Sequence, residues 1–379
     1  MNTFSFKSPR QVTFGPGTSE ALESLILGDD SGRSEILLIS DKGVSRAGLL
    51  DRIKERTGRF QQNLYIIDDV PTEPYEEDIQ SLFDRCTGKS IRQIIALGGG
   101  SVLDTAKLVA LFLKNGGTAR GFREALPTVP GVPVIMIPTT AGTGSEATPN
   151  SIIALRKEEV KVGIISEYFM PDNVILDPEL TLTLPPAITA AGGVDTFCHL
   201  LECFISKKSN PYSDNMALEG MNLVLNNLKT AYTKGDSIEA RSAMLLGSYY
   251  GGACIASSGT TAVHALSYPL GGKFRIAHGV SNAILLVPVF KFIADAIGPK
   301  LTRAAEAAGL SNTTPEYFME YLANLVEELG IPSSVKEFGV KASDLGYLAE
   351  KSFGIRRLLD STPKELSIED IKTIYKEVL

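Results

Sequence analysis

Short apolar runs alternate with helical patterns through the first half of the chain. Five runs predict buried strands: residues 35–40 (EILLIS), 64–67 (LYII), 93–97 (QIIAL), 134–137 (VIMI) and 174–176 (VIL). Several of them lead into Gly, Asp or Thr and then into apolar positions spaced as on one face of a helix. This alternation predicts a largely parallel sheet with helices on both faces. Residues 1–14 alternate polar and apolar positions before Gly15-Pro16-Gly17, which predicts an additional edge strand or hairpin.

The pattern changes near Pro185. Strand-like runs become scarce after this point, and long amphipathic stretches take over at residues 215–232, 238–255 and 315–329. We therefore predict two domains, an α/β domain over residues 1–185 and a mainly helical domain over residues 186–379.

The composition agrees with such a globular protein. The 379 residues leave room for two domains of ordinary size. Hydrophobic residues make up 44% and charged residues 21%, which excludes disordered and fibrous classes. The formal net charge of −7 argues against a nucleic-acid-binding protein, which would show a basic face.

The location is predicted from what the sequence lacks. The N-terminal residues contain no apolar run of the kind that a secretory signal requires. No stretch reaches the roughly 18 apolar residues that span a bilayer, since even residues 283–293 include Pro288 and Lys291. The four cysteines, Cys86, Cys198, Cys203 and Cys254, do not have the spacing of a disulfide framework. We predict a cytoplasmic protein without a membrane partner.

A first glycine-rich turn follows the apolar residues 94–97. It consists of Gly98, Gly99, Gly100 and Ser101, and residues 102–113 then show a helical pattern. Glycines let the backbone approach phosphate oxygens, and the first N–H groups of the helix point at the anion. The turn matches neither G-x-G-x-x-G nor the Walker sequence. A tight turn that only packs a helix onto the sheet is the alternative.

Asp41 lies just after the strand predicted at residues 35–40. An acidic side chain at this end of a strand accepts hydrogen bonds from an adenosine ribose and repels a 2′-phosphate, which favours NAD over NADP. The alternative is structural, because Asp-Lys-Gly also forms a good turn.

A second turn rich in small hydroxylated residues and glycine follows the strand at residues 134–137 and Pro138. It runs TTAGTGSEAT over residues 139–148. Such a density of hydroxyl and backbone donors suits a loop that wraps a polar ligand. A solvated loop without a ligand is the alternative.

The chain has only three histidines, His199, His264 and His278. Asp195 precedes His199 by four residues, so the two share one face of a helix. Pro269, with Gly271 and Gly272, predicts a helix break that lets the His278 segment fold back. One carboxylate and three imidazoles suit Fe(II), Zn(II) or a similar ion. A single histidine near apolar neighbours is more often a hydrogen-bonded core residue than a ligand, and Asp195 and His199 alone could be a surface pair. Cys198 and Cys203 are interpreted as packing residues.

Five ordered motifs together resemble the iron-containing alcohol dehydrogenase family. They are GGGSVLDTAK (98–107), PTTAGTGSEAT (138–148), GGVDTFCHLLE (192–202), AVHALSYPLGG (262–272) and AHGVSNAILL (277–286). The similarity covers about three quarters of the chain, from FGPG (14–17) to residue 286. It implies a Rossmann-like nucleotide-binding domain and an all-helical, metal-binding domain of the dehydroquinate-synthase-like class, with the active site between them.

The resemblance also implies residue roles. Asp195, His199, His264 and His278 would bind one divalent metal, Fe2+ or alternatively Zn2+. The cofactor would be NAD and the substrate a small alcohol or aldehyde, and the protein would be a homodimer or larger homo-oligomer. The implied cofactor contacts are Asp41, Gly98, Gly99, Gly100, Ser101, Thr139, Thr140, Ser145, Thr148 and Lys161.

Two positions depart from the family pattern. Many members carry histidines where this chain has Tyr268 and Arg275, both expected near the substrate. With all three histidines assigned to the metal, a proton would leave through water, the cofactor ribose or Tyr268. Arg275 raises the hypothesis of an aldehyde that bears a carboxylate, sulfonate or phosphonate; pairing with a local acid or exposure to solvent is the alternative.

Other readings share parts of this pattern. A dehydroquinate-synthase-like or glycerol-phosphate-dehydrogenase-like enzyme should place several Lys or Arg residues around a substrate phosphate, and only Lys273 and Arg275 lie near the metal motifs. A glycerol-dehydrogenase-like enzyme fits the motifs less well. A non-catalytic binding or assembly protein would have lost a ligand or the glycine turn, and all are present. The sequence therefore predicts a metal-dependent NAD(H) alcohol dehydrogenase or aldehyde reductase.

Overall fold

A computed structural model describes residues 3–28 and 34–379. The strands all lie in the first half of the chain. They are β1 (Gln11–Phe14), β2 (Glu35–Ile39), β3 (Leu64–Ile67), β4 (Ile91–Gly98), β5 (Val134–Pro138), β6 (Asn150–Leu155), β7 (Val160–Ile165) and β8 (Asn173–Leu176). The helices of this half are α1 (Leu22–Leu25), α2 (Lys42–Arg46), α3 (Leu49–Arg56), α4 (Glu76–Cys86), α5 (Gly100–Asn115) and α6 (Ala119–Glu124).

The second half is helical throughout its described elements. Its α-helices are α7 (Pro186–Ile205), α8 (Pro211–Thr233), α9 (Ile238–Ser258), α10 (Ala262–Phe274), α11 (His278–Ala307), α12 (Pro315–Glu328), α13 (Leu345–Phe353), α14 (Arg356–Leu359) and α15 (Ile368–Glu377). This division confirms an α/β fold with a helical C-terminal part.

Six strands form one parallel sheet in the order β1-β8-β5-β4-β2-β3. Alternate residues of a strand face opposite sides of a sheet. Ile94 and Ala96 accordingly enter one hydrophobic core and Ile95 and Leu97 the other. The five predicted strands are thus confirmed, and β1 is the predicted edge strand, paired in parallel with β8 rather than in a hairpin.

An antiparallel hairpin of β6 and β7 was not predicted from the sequence. β6 contains the apolar run IIAL (152–155), but the charged residues 156–159 (RKEE) follow it in place of a turn and a helical pattern, and the buried Lys161 interrupts β7. The hairpin packs on α10 and α5, and it brings Lys161 toward the helical half.

The predicted helix break at Pro269, Gly271 and Gly272 is wrong, because α10 continues through all three residues to Phe274. The two glycines serve close packing instead. A Cβ on Gly271 would lie 2.7 Å from Nζ of Lys161, and one on Gly272 would overlap the carbonyl oxygen of Glu159. The chain turns at Arg275, whose φ of 56° is left-handed, and α11 then begins at His278.

Glycines also join the second turn to the helical half. A Cβ on Gly252 of α9 would overlap the carbonyl oxygen of Gly144. Gly144 itself has a φ of 58°, and a side chain there would collide with the backbone of Ser248. Only residues without a Cβ allow this backbone-to-backbone approach.

Two helices, Pro186–Ile205 and His278–Ala307, are long and apolar enough to cross a membrane by length and composition. The sequence count missed them because scattered small and polar residues interrupt their apolar runs. Their most apolar windows are 83% and 56% buried inside the protein, as in core helices of globular proteins.

Candidate metal and nucleotide site

Four side chains that the sequence singled out converge in the helical half. Asp195 and His199 lie one turn apart on α7, His264 lies in the first turn of α10, and His278 is the first residue of α11. One ligand atom from each side chain lies within 4.8 Å of the other three. We call these four residues the metal cluster.

The spacing of these atoms suits one small cation. Oδ1 of Asp195 lies 3.7 Å from Nε2 of His199, 3.8 Å from Nε2 of His264 and 3.7 Å from Nε2 of His278. Four tetrahedral ligands about 2.0–2.2 Å from an ion lie about 3.3–3.6 Å from one another. A small movement of these side chains toward one another would therefore bring the four ligand atoms to the spacing of a tetrahedral metal site.

Burial sets the protonation of the cluster. It lowers the pKa of His199 to about 4 and that of His278 to about 3, so both imidazoles are in the neutral form that binds metals. Burial works against the charged form of Asp195, but the three histidines and the amide of Asn282 hold its pKa below the usual value. One anion and neutral donors are the chemistry of a divalent-cation site.

Asn282 marks the point at which the acceptors meet. It lies one turn after His278 and is fully buried. Its Nδ2 donates to Oδ1 of Asp195 at 2.6 Å and lies 3.2 Å and 3.3 Å from Nε2 of His264 and His278. The acceptor atoms of the cluster thus converge on the partly positive N–H groups of this amide. The same arrangement of acceptors fits a bound cation. The sequence reasoning did not identify Asn282.

Glu202 was also missed, and it orients His264. One carboxylate oxygen contacts Nδ1 of His264, and the other accepts hydrogen bonds from Thr261 N (3.1 Å), Thr261 Oγ1 (2.7 Å) and Val263 N (2.8 Å). Burial alone would lower the pKa of His264, but Glu202 raises it. A carboxylate behind a ligating histidine fixes the ring and its tautomer. The available signal was spacing, because Glu202 lies on the Asp195 and His199 face of α7.

The cluster is open on one side. Asp195, His199 and His264 are at most 4% exposed, whereas the side chain of His278 is 26% exposed. Tyr268 lies on this side, with its ring 6.1 Å from that of His278, and burial raises the pKa of its hydroxyl. The hydroxyl therefore keeps its proton at neutral pH.

The first glycine turn has the geometry of an anion site. Gly98 ends β4, Gly99 caps α5 and Gly100 begins it. The backbone N–H groups at the start of such a helix lack intrahelical partners. A Cβ on Gly100 would lie 2.7 Å from the Thr143 side chain, and one on Gly99 would lie 3.3 Å from that of Thr140. The two turns therefore contact each other at the carboxyl end of the sheet.

Other predicted cofactor residues are placed differently. Asp41 caps α2, since its Oδ1 accepts from Gly43 N (2.7 Å) and Val44 N (3.0 Å). Thr139 is buried beside Gly98, to whose carbonyl its N–H donates at 3.1 Å. Oγ of Ser101 accepts from Glu73 N at 3.0 Å, and Lys161 pairs with Glu73 at 2.6 Å. Contacts of these residues with a cofactor stay a prediction.

Ser145 and Thr148 belong to a buried network around Lys107. Nζ of Lys107 donates to Asp104 Oδ1 (3.1 Å), Ser145 Oγ (2.8 Å) and O (2.9 Å), Thr148 Oγ1 (3.1 Å) and Asn150 O (2.5 Å). Asp104 Oδ2 accepts from Ile152 N at 2.9 Å. We call this the Lys107 cluster. It fastens α5 to the second turn and to β6, which the sequence reasoning did not foresee.

Arg275 lies outside the metal cluster. Its side chain is exposed, and its guanidinium carbon is 4.8 Å from the centre of the Tyr75 ring. Arg156 contacts the same ring at 3.7 Å. Arg275 makes no ion pair with any residue in the described ranges, so its expected place beside the substrate stays a prediction.

Two family models match the chain. One, described as iron-containing alcohol dehydrogenase, matches residues 9–178, and the other, described as the C-terminal part of the Fe-containing alcohol dehydrogenase family, matches residues 189–379.

Known proteins are similar over nearly the whole length. Long-chain-alcohol dehydrogenase 1 of Geobacillus thermodenitrificans is 34% identical over 91% of this chain and 89% of its own. Sulfoacetaldehyde reductase of Bilophila wadsworthia is 33% identical over 90% and 91%. The solved structure of sulfoacetaldehyde reductase from Bifidobacterium kashiwanohense in complex with NAD+ superposes with a TM-score of 0.89 at 25% identity, over 100% of this chain and 99% of its own.

Proposed function

Because the chain belongs to the iron-containing alcohol dehydrogenase family, we propose that it uses NAD(H) and one Fe2+ ion to interconvert a small primary alcohol and its aldehyde. The observation that carries the proposal is the convergence of the only three histidines with Asp195. Helix α7, on which Asp195 lies, contacts the second turn, because Oγ1 of Thr196 donates to the carbonyl of Gly142 at 3.0 Å.

The metal cluster would hold the ion. A divalent ion there supplies Lewis-acid polarisation of the substrate oxygen. Glu202 fixes the ring of His264, and Asn282 holds the carboxylate of Asp195, so the donors are oriented in advance. The more exposed side, at His278, is the place for the substrate oxygen. Zn2+ accepts the same donors and is the alternative ion.

The glycine turn would hold the cofactor. NAD supplies the hydride chemistry, and the protein orients its ring. The N–H groups at the start of α5 offer donors to a pyrophosphate, and Asp41, which follows β2, would accept hydrogen bonds from the ribose. A relative with bound NAD+ has this fold throughout, which supports NAD for this chain.

Tyr268 is the proposed proton-holding group. All three histidines belong to the metal cluster, so none remains as a free base. The Tyr268 hydroxyl keeps its proton because burial raises its pKa, and its ring lies beside the open edge of the cluster. It would donate a hydrogen bond to a substrate oxygen or to a water molecule there.

Reconstitution of metal-stripped protein tests the proposal. We expect NADH oxidation with short aldehydes only after Fe(II) or Zn(II) is added, with higher turnover for Fe(II). Turnover without metal would contradict it. Metal and NADH binding without turnover of any aldehyde would favour a dehydroquinate-synthase-like or glycerol-phosphate-dehydrogenase-like reaction instead.

Assembly and location belong to the same proposal. We expect a homodimer or larger homo-oligomer in the cytoplasm, acting on free small molecules. Light scattering of the purified protein checks the first expectation, and cell fractionation checks the second.

A further inference from the structure

Arg357 is an exposed residue of the C-terminal region. It lies on α14, which packs against α10, the helix of His264 and Tyr268. Its guanidinium rests on β7, since a Cβ on Gly163 would lie 3.3 Å from Nη2. Gly163 follows Lys161 by two residues, so both face the same side of the strand. That side meets α10, because Nζ of Lys161 lies against Gly271.

The charge of Arg357 has no counter-charge in the parts of the chain that the structure describes. Its side chain makes no hydrogen bond or ion pair with residues 3–28 or 34–379. The neighbouring cations differ: Lys161 pairs with Glu73 at 2.6 Å, and Arg356 pairs with Asp360. A guanidinium group whose N–H donors are free can bind a carboxylate or sulfonate with two hydrogen bonds.

The positive charge of Arg357 also acts on Tyr268, which lies at the open side of the metal cluster. Burial raises the pKa of Tyr268, and Arg357 is the strongest influence that works against this rise. The Tyr268 ring is 6.1 Å from that of His278. Arg357 is therefore close enough for its charge to act on the Tyr268 hydroxyl.

We propose that Arg357 selects the substrate by binding an anionic group, a carboxylate or sulfonate, at the end remote from the reacting carbon. This inference rests on the proposed function, because it assumes that the reacting oxygen lies at the metal cluster. It gives Arg357 the role that the sequence suggested for Arg275, whose guanidinium lies over Tyr75.

A kinetic comparison tests the selection. The metal-reconstituted protein would reduce succinic semialdehyde, which is anionic, and pentanal, which is neutral and of similar length. We expect the ratio of their kcat/KM values to fall about 10- to 100-fold in Arg357→Leu, as for loss of a charged hydrogen bond, and less in Arg357→Lys. Arg356→Leu is the matched control and should keep the ratio. An unchanged ratio in Arg357→Leu, or an equal fall in Arg356→Leu, would overturn the proposal.

A binding measurement separates this inference from the proposed function. Titration calorimetry with butanoate, an unreactive anion, on the NADH-bound protein should show a Kd about 10-fold weaker or more in Arg357→Leu, and the wild-type value in Arg356→Leu. Equal butanoate binding by wild type and Arg357→Leu removes the anion site, whatever the kinetics. A third outcome separates the two proposals: Arg357→Leu loses butanoate binding, but wild type turns over no aldehyde. That outcome would support the anion site and contradict the dehydrogenase reaction.

Discussion

The Lys107 cluster and the metal cluster are both buried groups of charged and polar side chains, one in each half of the molecule. In the first, the chain supplies its own cation, and five acceptor atoms surround Nζ of Lys107. In the second, Asp195 and three histidines surround a position that holds no charged side chain of the described residues. Only the amide of Asn282 donates a hydrogen bond there. The difference teaches that the first cluster is complete as folded, whereas the proposed ion would complete the second.

Loss of a metal ligand should have the largest effect. We expect His199→Ala to lower turnover by about a thousandfold or more, since Lewis-acid polarisation contributes several kcal/mol to the barrier. Metal analysis after dialysis should show loss of the ion. Cys198→Ala, a change at the adjacent position of α7, should keep the metal. If His199→Ala kept both the ion and the turnover, the metal cluster would not need an ion held by His199, and the contrast with the Lys107 cluster would be wrong.

Removal of the internal cation comes next. Lys107→Met leaves Asp104 buried without its partner, and we expect the free energy of unfolding to fall by about 3–5 kcal/mol in urea titrations. Lys114→Met on the exposed side of α5 should change it by less than about 0.5 kcal/mol. The metal content should stay the same in both variants. A Lys107→Met protein of wild-type stability would mean that the cluster contributes nothing as a unit.

Glu146 makes the first region sensitive to pH. It is 2% exposed, and burial raises its pKa from 4.5 to about 7. The folded protein therefore holds a proton that the unfolded chain releases, so the free energy of unfolding falls as pH rises through this range. Relative to wild type, Glu146→Gln should gain up to about 3 kcal/mol between pH 5 and pH 8. Parallel stability curves for the two proteins would contradict this prediction.

The smallest effect concerns the orientation of a ligand. Glu202→Gln keeps the shape of the side chain but loses the charge behind His264, and we expect metal affinity to fall about 10- to 100-fold. Competition with a chelator measures it. Glu219→Gln on the exposed face of α8 serves as the control. An unchanged metal affinity would mean that Glu202 only caps the start of α10 and does not support His264 as a ligand.

The sequence predicted the parts of the fold whose patterns are local. Buried parallel strands have continuous apolar runs, and the ligands share a helix face or follow distinctive motifs. The β6–β7 hairpin lacks the order of strand, turn and helix that marks the parallel strands, and the path of α10 through Pro269 depends on packing that only the folded chain supplies.

The partners of the site residues were the least predictable from sequence. Glu202 supports His264 across 62 positions, and Lys107 reaches Ser145 across 38. Arg357 lies far along the chain from every motif, in a region without histidines. Its position depends on how α14 packs, so no spacing in the sequence could indicate it.

The meeting of Gly144 with Gly252 restricts modular exchange between relatives. A chimera that takes its α/β half from a relative must bring a loop whose backbone fits against α9 without a side chain on either surface. A donor loop with alanine at the position of Gly144 would push the grafted half away from α9. The second turn would then also separate from α7, which carries Asp195 and His199, even with every ligand retained. Successful grafts should therefore transfer the second turn and α9 as one unit.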